Sequence, residues 1–329
     1  MSSEKTVFIL GAGASKTYGF PLGEELRRNI VKSYGNIISQ LQGITKNTQF
    51  QSNSYSFRDH FEKSGDVSID LFLSKFHHHS EVGIIAILYF ILTSETQSQF
   101  LDRLYFNYKE QKQSESLDDW MWYLYSRLTR NLNVVETYQE IDFNNISFIT
   151  FNYDRSLEHF FFERLSNGFN YNFIGGSADD VMKTLGIQHI YGQAALLPWQ
   201  VGDTPKLEYG KYNVDQINLE HFTKNISLIR QRTLENKSNI HKILKEAHQI
   251  FFLGFSYDET NLKVLDIPNV LSRGQQVYGT AVGFLDEEIE DLKKYFYQKN
   301  VDSPGAHKHH VVIENVNCTT LLRKYFRHN

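Results

Sequence analysis

The sequence predicts an α/β fold: an open, mostly parallel sheet flanked by helices and carrying a helical insertion. Three observations lead there. Short apolar runs rich in β-branched and aromatic residues recur along the chain, as in strands buried on both faces. Helical periodicity fills the intervals between these runs, and no hairpin turn signals join them. The first run also breaks into "GAGASKTYGFPLG", so that strand, glycine loop and helix follow one another as in a parallel βαβ unit.

Val7–Leu10 is the first strand, and Leu26, Ile30 and Val31 give the stretch from Gly23 to Tyr34 a helical face. Residues 42–66 are polar and rich in Asn, Gln, Ser and Thr. "SIDLFLSKF", "VGIIAILYFILTSETQSQFLDRLYFNY" and "DDWMWYLYSRLTRNL" then read as helices, making 41–138 a helical insertion whose aromatic stripe is expected to be core. "ISFITFNYD" (146–154) is the second strong strand, and Ser156 is placed to cap the helix after it. Later strands are read at 187–192, 249–256, 275–285 and 309–316. "HKILKEAHQ" and "DEEIEDLKKYFYQKN" lie between them as helices, and "NCTTLLRKYF" closes the chain with another.

Composition narrows the function. The 329 residues are 41% hydrophobic and 22% charged, with a formal net charge of -4, which gives no general basic field for gripping a nucleic acid. The single cysteine, Cys318, excludes an intramolecular disulfide and a structural zinc site built from several thiolates. The apolar run 82–92 is too short for a membrane span, and no secretory leader precedes the first strand, so a cytoplasmic location is expected.

Four strand ends, in order, carry small and polar residues, and in doubly wound sheets ligand crevices form at that edge. At the first, Gly11 and Gly13 permit close backbone approach to a phosphate; the stretch nevertheless fails G-x-G-x-x-G, since Lys16 stands at the third glycine position, and fails G-x-x-x-x-G-K-[ST]. A ligand-free tight turn is an equal reading of the loop alone. At the second, Asn152 can donate and accept hydrogen bonds while ionised Asp154 only accepts, which suits either a ribose and a water or the capping of the next helix. At the third, His189 is a candidate base and Gly192 permits close approach. At the fourth, Gly254 and Ser256 suit a phosphate or ribose contact, with Asp258 and Asn261 bracing the turn. "FHHHS" is read as no metal site, because adjacent rings on a helix diverge.

Taken together, "GAGAS" with "GFPL", "FNYD", "HIYG" and "GFS" resemble the motifs of the sirtuin-like NAD-binding family, in particular its divergent bacterial branch that hydrolyses NAD in anti-phage defence. The resemblance covers about 7–36 and 146–262. It implies a Rossmann-like NAD-binding domain over 1–40 and 139–329, interrupted by the insertion at 41–138. It implies that Gly11, Ala12, Gly13 and Ser15 line the dinucleotide, and that Asn152 positions the nicotinamide ribose or the attacking water. Asp154 would contact the nicotinamide side, and Gly254 and Ser256 the adenosine ribose or phosphates. The family has His directly before Gly, where this chain has Tyr191 before Gly192; either His189 supplies the base or Tyr191 positions the substrate.

The implied activity is hydrolysis of NAD to nicotinamide and ADP-ribose, with NAD as substrate and no zinc expected. A module that binds NAD or ADP-ribose and regulates a partner is the alternative. Deacylation is disfavoured because sirtuin deacylases carry a four-cysteine zinc module and this chain has one cysteine. The resemblance further implies a homo-oligomer and either a partner ATPase of the translocase type or a phage-derived activator, with no membrane and no direct nucleic-acid contact.

Overall fold

The computed structural model describes residues 4–44, 48–98, 118–130, 143–168, 177–228, 234–297 and 310–326. Six strands, β1 (Thr6–Leu10), β2 (Ile146–Thr150), β3 (Gly186–His189), β4 (Gln249–Leu253), β5 (Gln276–Thr280) and β6 (His310–Glu314), form one sheet in the order β3-β2-β1-β4-β5-β6. Every pairing in it is parallel. The expected open parallel sheet is therefore present, in the doubly wound order of dinucleotide-binding folds, with its direction of winding reversing between β1 and β4.

The sheet is held by side chains in register. Phe8 lies opposite Phe148 on one neighbour and Phe251 on the other, and Phe251 lies opposite Tyr278. Their rings stack at 5.2, 5.4 and 4.9 Å, so an aromatic ladder crosses four strands on one face. Such pairs add about 0.5–1.5 kcal/mol each beyond area burial. Phe326, just beyond the last helix, closes edge-on over Phe8 and Phe251. Ile9, Ile149 and Phe252 fill the other face, and all are fully buried.

Between β1 and β2 the described chain is helical: α1 (Ala12–Lys16), α2 (Gly23–Ile44), α3 (Thr48–Lys63), α4 (Ile69–Lys75), α5 (Ser80–Gln97) and α6 (Trp120–Leu128). One detail departs from the sequence reading: the polar stretch 42–66 contains α3, which buries Phe57 and Phe61 one helical turn apart. The insertion shares one buried core with the sheet, and Trp120 Nε1 donates to the Ala14 carbonyl at 2.8 Å. The parts of the expected helices at 99–117 and 131–132 lie outside the described residues.

The remaining helices are α7 (Ser156–Gly168), α8 (Ala178–Thr184), α9 (Leu234–Glu246), α10 (Glu259–Leu265), α11 (Asp286–Tyr297) and α12 (Cys318–Tyr325). Asp258 caps α10 and Asn317 caps α12. Ser156, expected as a cap, is instead the first residue of α7, and its N–H is accepted by Asp154. Among the described residues no helix is long and apolar enough to cross a membrane.

A charged pair without solvent access joins α5 to the turn after β2. Arg155 donates from Nε and Nη2 to the two oxygens of Glu95 at 3.0 and 2.6 Å, and both side chains are fully buried. Removing one member of such a pair leaves the other charge uncompensated. Arg155→Met and Glu95→Gln are each expected to lower unfolding stability by about 3–5 kcal/mol in urea titrations; a loss below 1 kcal/mol would contradict this account.

Candidate functional site

At the carboxyl ends of β1 and β2, three of the expected side chains, Ser15, Asn152 and Asp154, are hydrogen-bonded to one another, and His189 at the end of β3 meets the Asn152 carbonyl. Gly11 is the extended cap residue of α1. Its N–H donates to the Leu253 carbonyl at 3.0 Å, and that of Gly13 donates to the Gly254 carbonyl at 2.9 Å. A Cβ on Gly11 would lie 2.6 Å from the Gly254 oxygen, and one on Gly13 would lie 2.8 Å from the Gly254 Cα. Gly254 has φ +56, and a Cβ there would meet the Ala14 nitrogen at 1.9 Å. These three glycines therefore let two loops touch backbone to backbone at the point where the sheet reverses direction. The close approach read from the sequence is real, but the partner it meets here is the loop after β4.

Asn152 and Asp154 fasten the turn after β2 to the same loop. Asn152 Nδ2 donates to the Gly11 carbonyl and to Ser15 Oγ, both at 2.9 Å. The Gly11 carbonyl accepts only, which fixes the amide orientation and leaves Oδ1 as the remaining acceptor. Oδ1 has no protein partner among the described residues. Ser15 Oγ in turn donates to Asp154 Oδ2 at 2.7 Å, and Asp154 Oδ1 accepts from the Ser156 N–H at 3.2 Å and from the Ser156 hydroxyl. Burial raises the Asp154 pKa above the usual carboxylate range; the two serine hydroxyls pull it down, and Glu158 pushes it up further. Asp154 thus acts as a clamp between α1 and α7, with only 6% of its surface exposed.

His189 ends β3. Its Nδ1 lies 3.1 Å from the Asn152 carbonyl, and its Nε2 bonds to Glu158 on α7. Both neighbours are acceptors, so the arrangement is satisfied by a doubly protonated ring donating from each nitrogen. Burial alone would lower the His189 pKa, but the Glu158 carboxylate outweighs it, and the net shift is upward. Glu158 was not singled out from sequence; it reads there as one more polar position of an amphipathic helix.

Tyr191 is buried and places its ring against Phe151 and Tyr153, while its hydroxyl donates to Asn261 Oδ1 on α10 at 2.6 Å. Gly192, at φ +84, lets the chain pass Asn225, whose carbonyl would stand 1.8 Å from a Cβ. Ser256 is exposed, apart from the Asn152–Ser15–Asp154 clamp. Ala12 begins α1 and is half-buried. A further residue, Asp70 on α4, reaches this cluster from the insertion by accepting a hydrogen bond from Tyr153 Oη. Burial raises its pKa, the tyrosine bond lowers it, and Asp258 adds a further upward push. The sequence offers no signal for Asp70, because its partner lies 83 positions away.

The arrangement offers one oriented amide oxygen, a tight backbone junction and the acidic side chains of Asp70, Asp154 and Glu158 beside His189. Such a site can order a sugar or a water. Compared with known proteins, the chain matches no protein-family model and no curated protein.

The raised His189 pKa has a definite linkage. The stabilisation from its pair with Glu158 is fully present below the unfolded pKa, about 6.5, and is lost as pH rises through the higher folded value. Melting curves across pH 5.5–9 are expected to show the advantage of the wild type over His189→Gln shrinking as pH rises. An advantage that grows with pH would refute the imidazolium assignment.

Proposed function

We propose that the protein hydrolyses NAD to nicotinamide and ADP-ribose, with its site at the carboxyl ends of β1, β2 and β4. The observation that carries this reading is the amide of Asn152, whose Nδ2 is held by Gly11 and Ser15 so that Oδ1 is a fixed acceptor. Support also comes from the sheet order, since dinucleotide-binding folds of this order hold their ligand where the winding reverses, here between β1 and β4, and from the resemblance of its four loops to those of sirtuin-like NAD hydrolases.

In the proposed reaction the C1′–N bond of NAD breaks, and its electron pair goes to the pyridinium nitrogen, so nicotinamide leaves neutral and needs no proton donor. Water attacks C1′ through an oxocarbenium-like transition state and releases one proton. Asn152 Oδ1 accepts from that water or from a ribose hydroxyl and fixes it against C1′. The carboxylates of Asp154 and Glu158, only partly offset by His189, supply a field that favours the developing cation. Gly11, Ala12, Gly13, Ser15, Gly254 and Ser256 form the proposed wall for the rest of the dinucleotide. Tyr191 and Gly192 hold the β3 end in place beside it. Activity as an abortive-infection effector, assembly into a homo-oligomer, and control by a partner ATPase or a phage-derived activator belong to the same proposal.

One observation favours a second reading, binding without cleavage. Both nitrogens of His189 are engaged, so the ring is no free base in this arrangement. Purified protein incubated with NAD separates the two. On the first reading nicotinamide accumulates, and Asn152→Ala lowers the rate about 100-fold while NAD affinity changes less. An undiminished rate in Asn152→Ala removes the amide from the mechanism. Saturable binding with no nicotinamide in any assembly state establishes the second reading. Release that depends on an added acylated peptide establishes deacylation instead.

A further inference from the structure

Outside the strand-end site, three histidines come together on the insertion. His60 lies in the last turn of α3, and His78 and His79 occupy the short 3-10 turn, His77–His79, that joins α4 to α5. One ring nitrogen from each lies within 4.8 Å of the other two. The sequence reading denied such a cluster because neighbouring rings diverge on an α-helix. In the tighter turn, however, the His78 and His79 ring centroids are 4.0 Å apart, and α3 brings His60 to 5.2 Å from His79.

We propose that His60, His78 and His79 bind a divalent transition metal of the Zn²⁺ class, with water completing the coordination. The ligand chemistry fits: three imidazoles without a thiolate suit Zn²⁺, Co²⁺, Ni²⁺ or Cu²⁺ and not the hard oxygen-seeking cations. The geometry needs little adjustment. Ligand nitrogens around tetrahedral zinc stand about 3.3 Å apart, given a Zn–N distance of about 2.0–2.1 Å. Here His60 Nδ1 and His79 Nε2 are 2.9 Å apart, and the third nitrogen is within reach. The inner ligand is already positioned. His79 is 1% exposed, with Phe72 stacked on its ring at 5.7 Å and Phe57 edge-on at the same distance. His60 and His78 are exposed and can turn toward an ion arriving from solvent.

A hydrogen bond between His60 and His79 explains only part of this arrangement. It uses one nitrogen of each ring and gives no role to His78.

The consequence is a staple. A metal here would tie α3 to the α4–α5 turn, closing a loop of the insertion that holds no disulfide. It would also steady α4, which carries both Phe72 against His79 and Asp70 against Tyr153 at the strand-end site. The proposal departs from the expectation of no zinc and does not rest on the NAD reading.

The test uses the full chain without a histidine tag, stripped with a chelator and desalted. Zn²⁺ is titrated against a chromophoric competitor, and Co²⁺ is used as a visible-absorption probe. The expected result is one tight equivalent per chain, a four- or five-coordinate Co²⁺ spectrum, and a raised melting temperature on loading. His60→Gln and His78→Gln should each weaken binding by at least about 10-fold, the scale on which even indirect metal partners act. His77→Gln, one residue outside the cluster, should leave affinity unchanged. Both variant positions are exposed, so folding is preserved and is checked by circular dichroism. A wild-type chain that takes up no stoichiometric Zn²⁺, or a His60→Gln/His78→Gln double variant that binds it equally well, would overturn the proposal and leave a hydrogen-bonded histidine cluster.

Discussion

The pair of Arg155 and Glu95 is the constraint on which the arrangement of this protein turns. Two opposite charges held away from water are costly unless nearly every donor and acceptor is satisfied. Here they are: besides the two bonds to Glu95, Arg155 donates to the carbonyls of Leu196, Leu207 and Glu208. Glu95 also accepts from the Gly210 N–H and the Tyr212 hydroxyl. One guanidinium therefore gathers α5, the turn after β2 and the long segment after β3. Because Arg155 directly follows Asp154, locating its head group also locates the clamp that joins Ser15, Asn152 and Ser156. The insertion is thus part of what aims the strand-end residues, although it interrupts the sheet domain in sequence.

The second constraint is steric. Two loops on adjacent parallel strands normally diverge at their carboxyl ends and leave a crevice. Here Gly11 and Gly13 bring the first loop against Gly254 of the other, and two of the N–H groups that a phosphate would use are already given to carbonyls. A dinucleotide on the proposed reading would lie along this junction rather than deep between the loops. The rigidity of that floor suits a site that orients a sugar. Movement of one loop against the other would disturb Asn152 at once, since Gly11 is its hydrogen-bond partner.

What the sequence made legible follows from where the information resides. The parallel strands were readable because burial on both faces requires unbroken apolar runs, and β1 is buried at all five positions. The strand-end residues were readable because each stands directly after such a run. Helix α3 was not, because Phe57 and Phe61 are the main apolar anchors described in a polar stretch, and two positions do not define a face. Glu95, Asp70 and Glu158 were not, because their roles come from partners 60, 83 and 31 positions away. The histidine cluster failed for a local reason: the sequence reading assumed an α-helix, while the chain makes a 3-10 turn there.

The electrostatics of the strand ends bear on which half of NAD belongs where. Burial raises the pKa of Asp154, with Glu158 adding to it, and burial raises that of Asp70, with Asp258 adding to it. Where they are ionised, carboxylates beside the strand ends attract a pyridinium or an oxocarbenium ion. On the proposed reading the ribose that reacts would face the Asn152–Asp154 side. His189 then has a purpose other than taking a proton. Its Nε2 keeps Glu158 paired inside the protein, and its Nδ1 holds the carbonyl of Asn152, the residue whose amide is bonded to Gly11 and Ser15. Loss of one proton would leave the ring one donor for two acceptors, the Glu158 carboxylate and the Asn152 carbonyl, so one of the two hydrogen bonds would be given up.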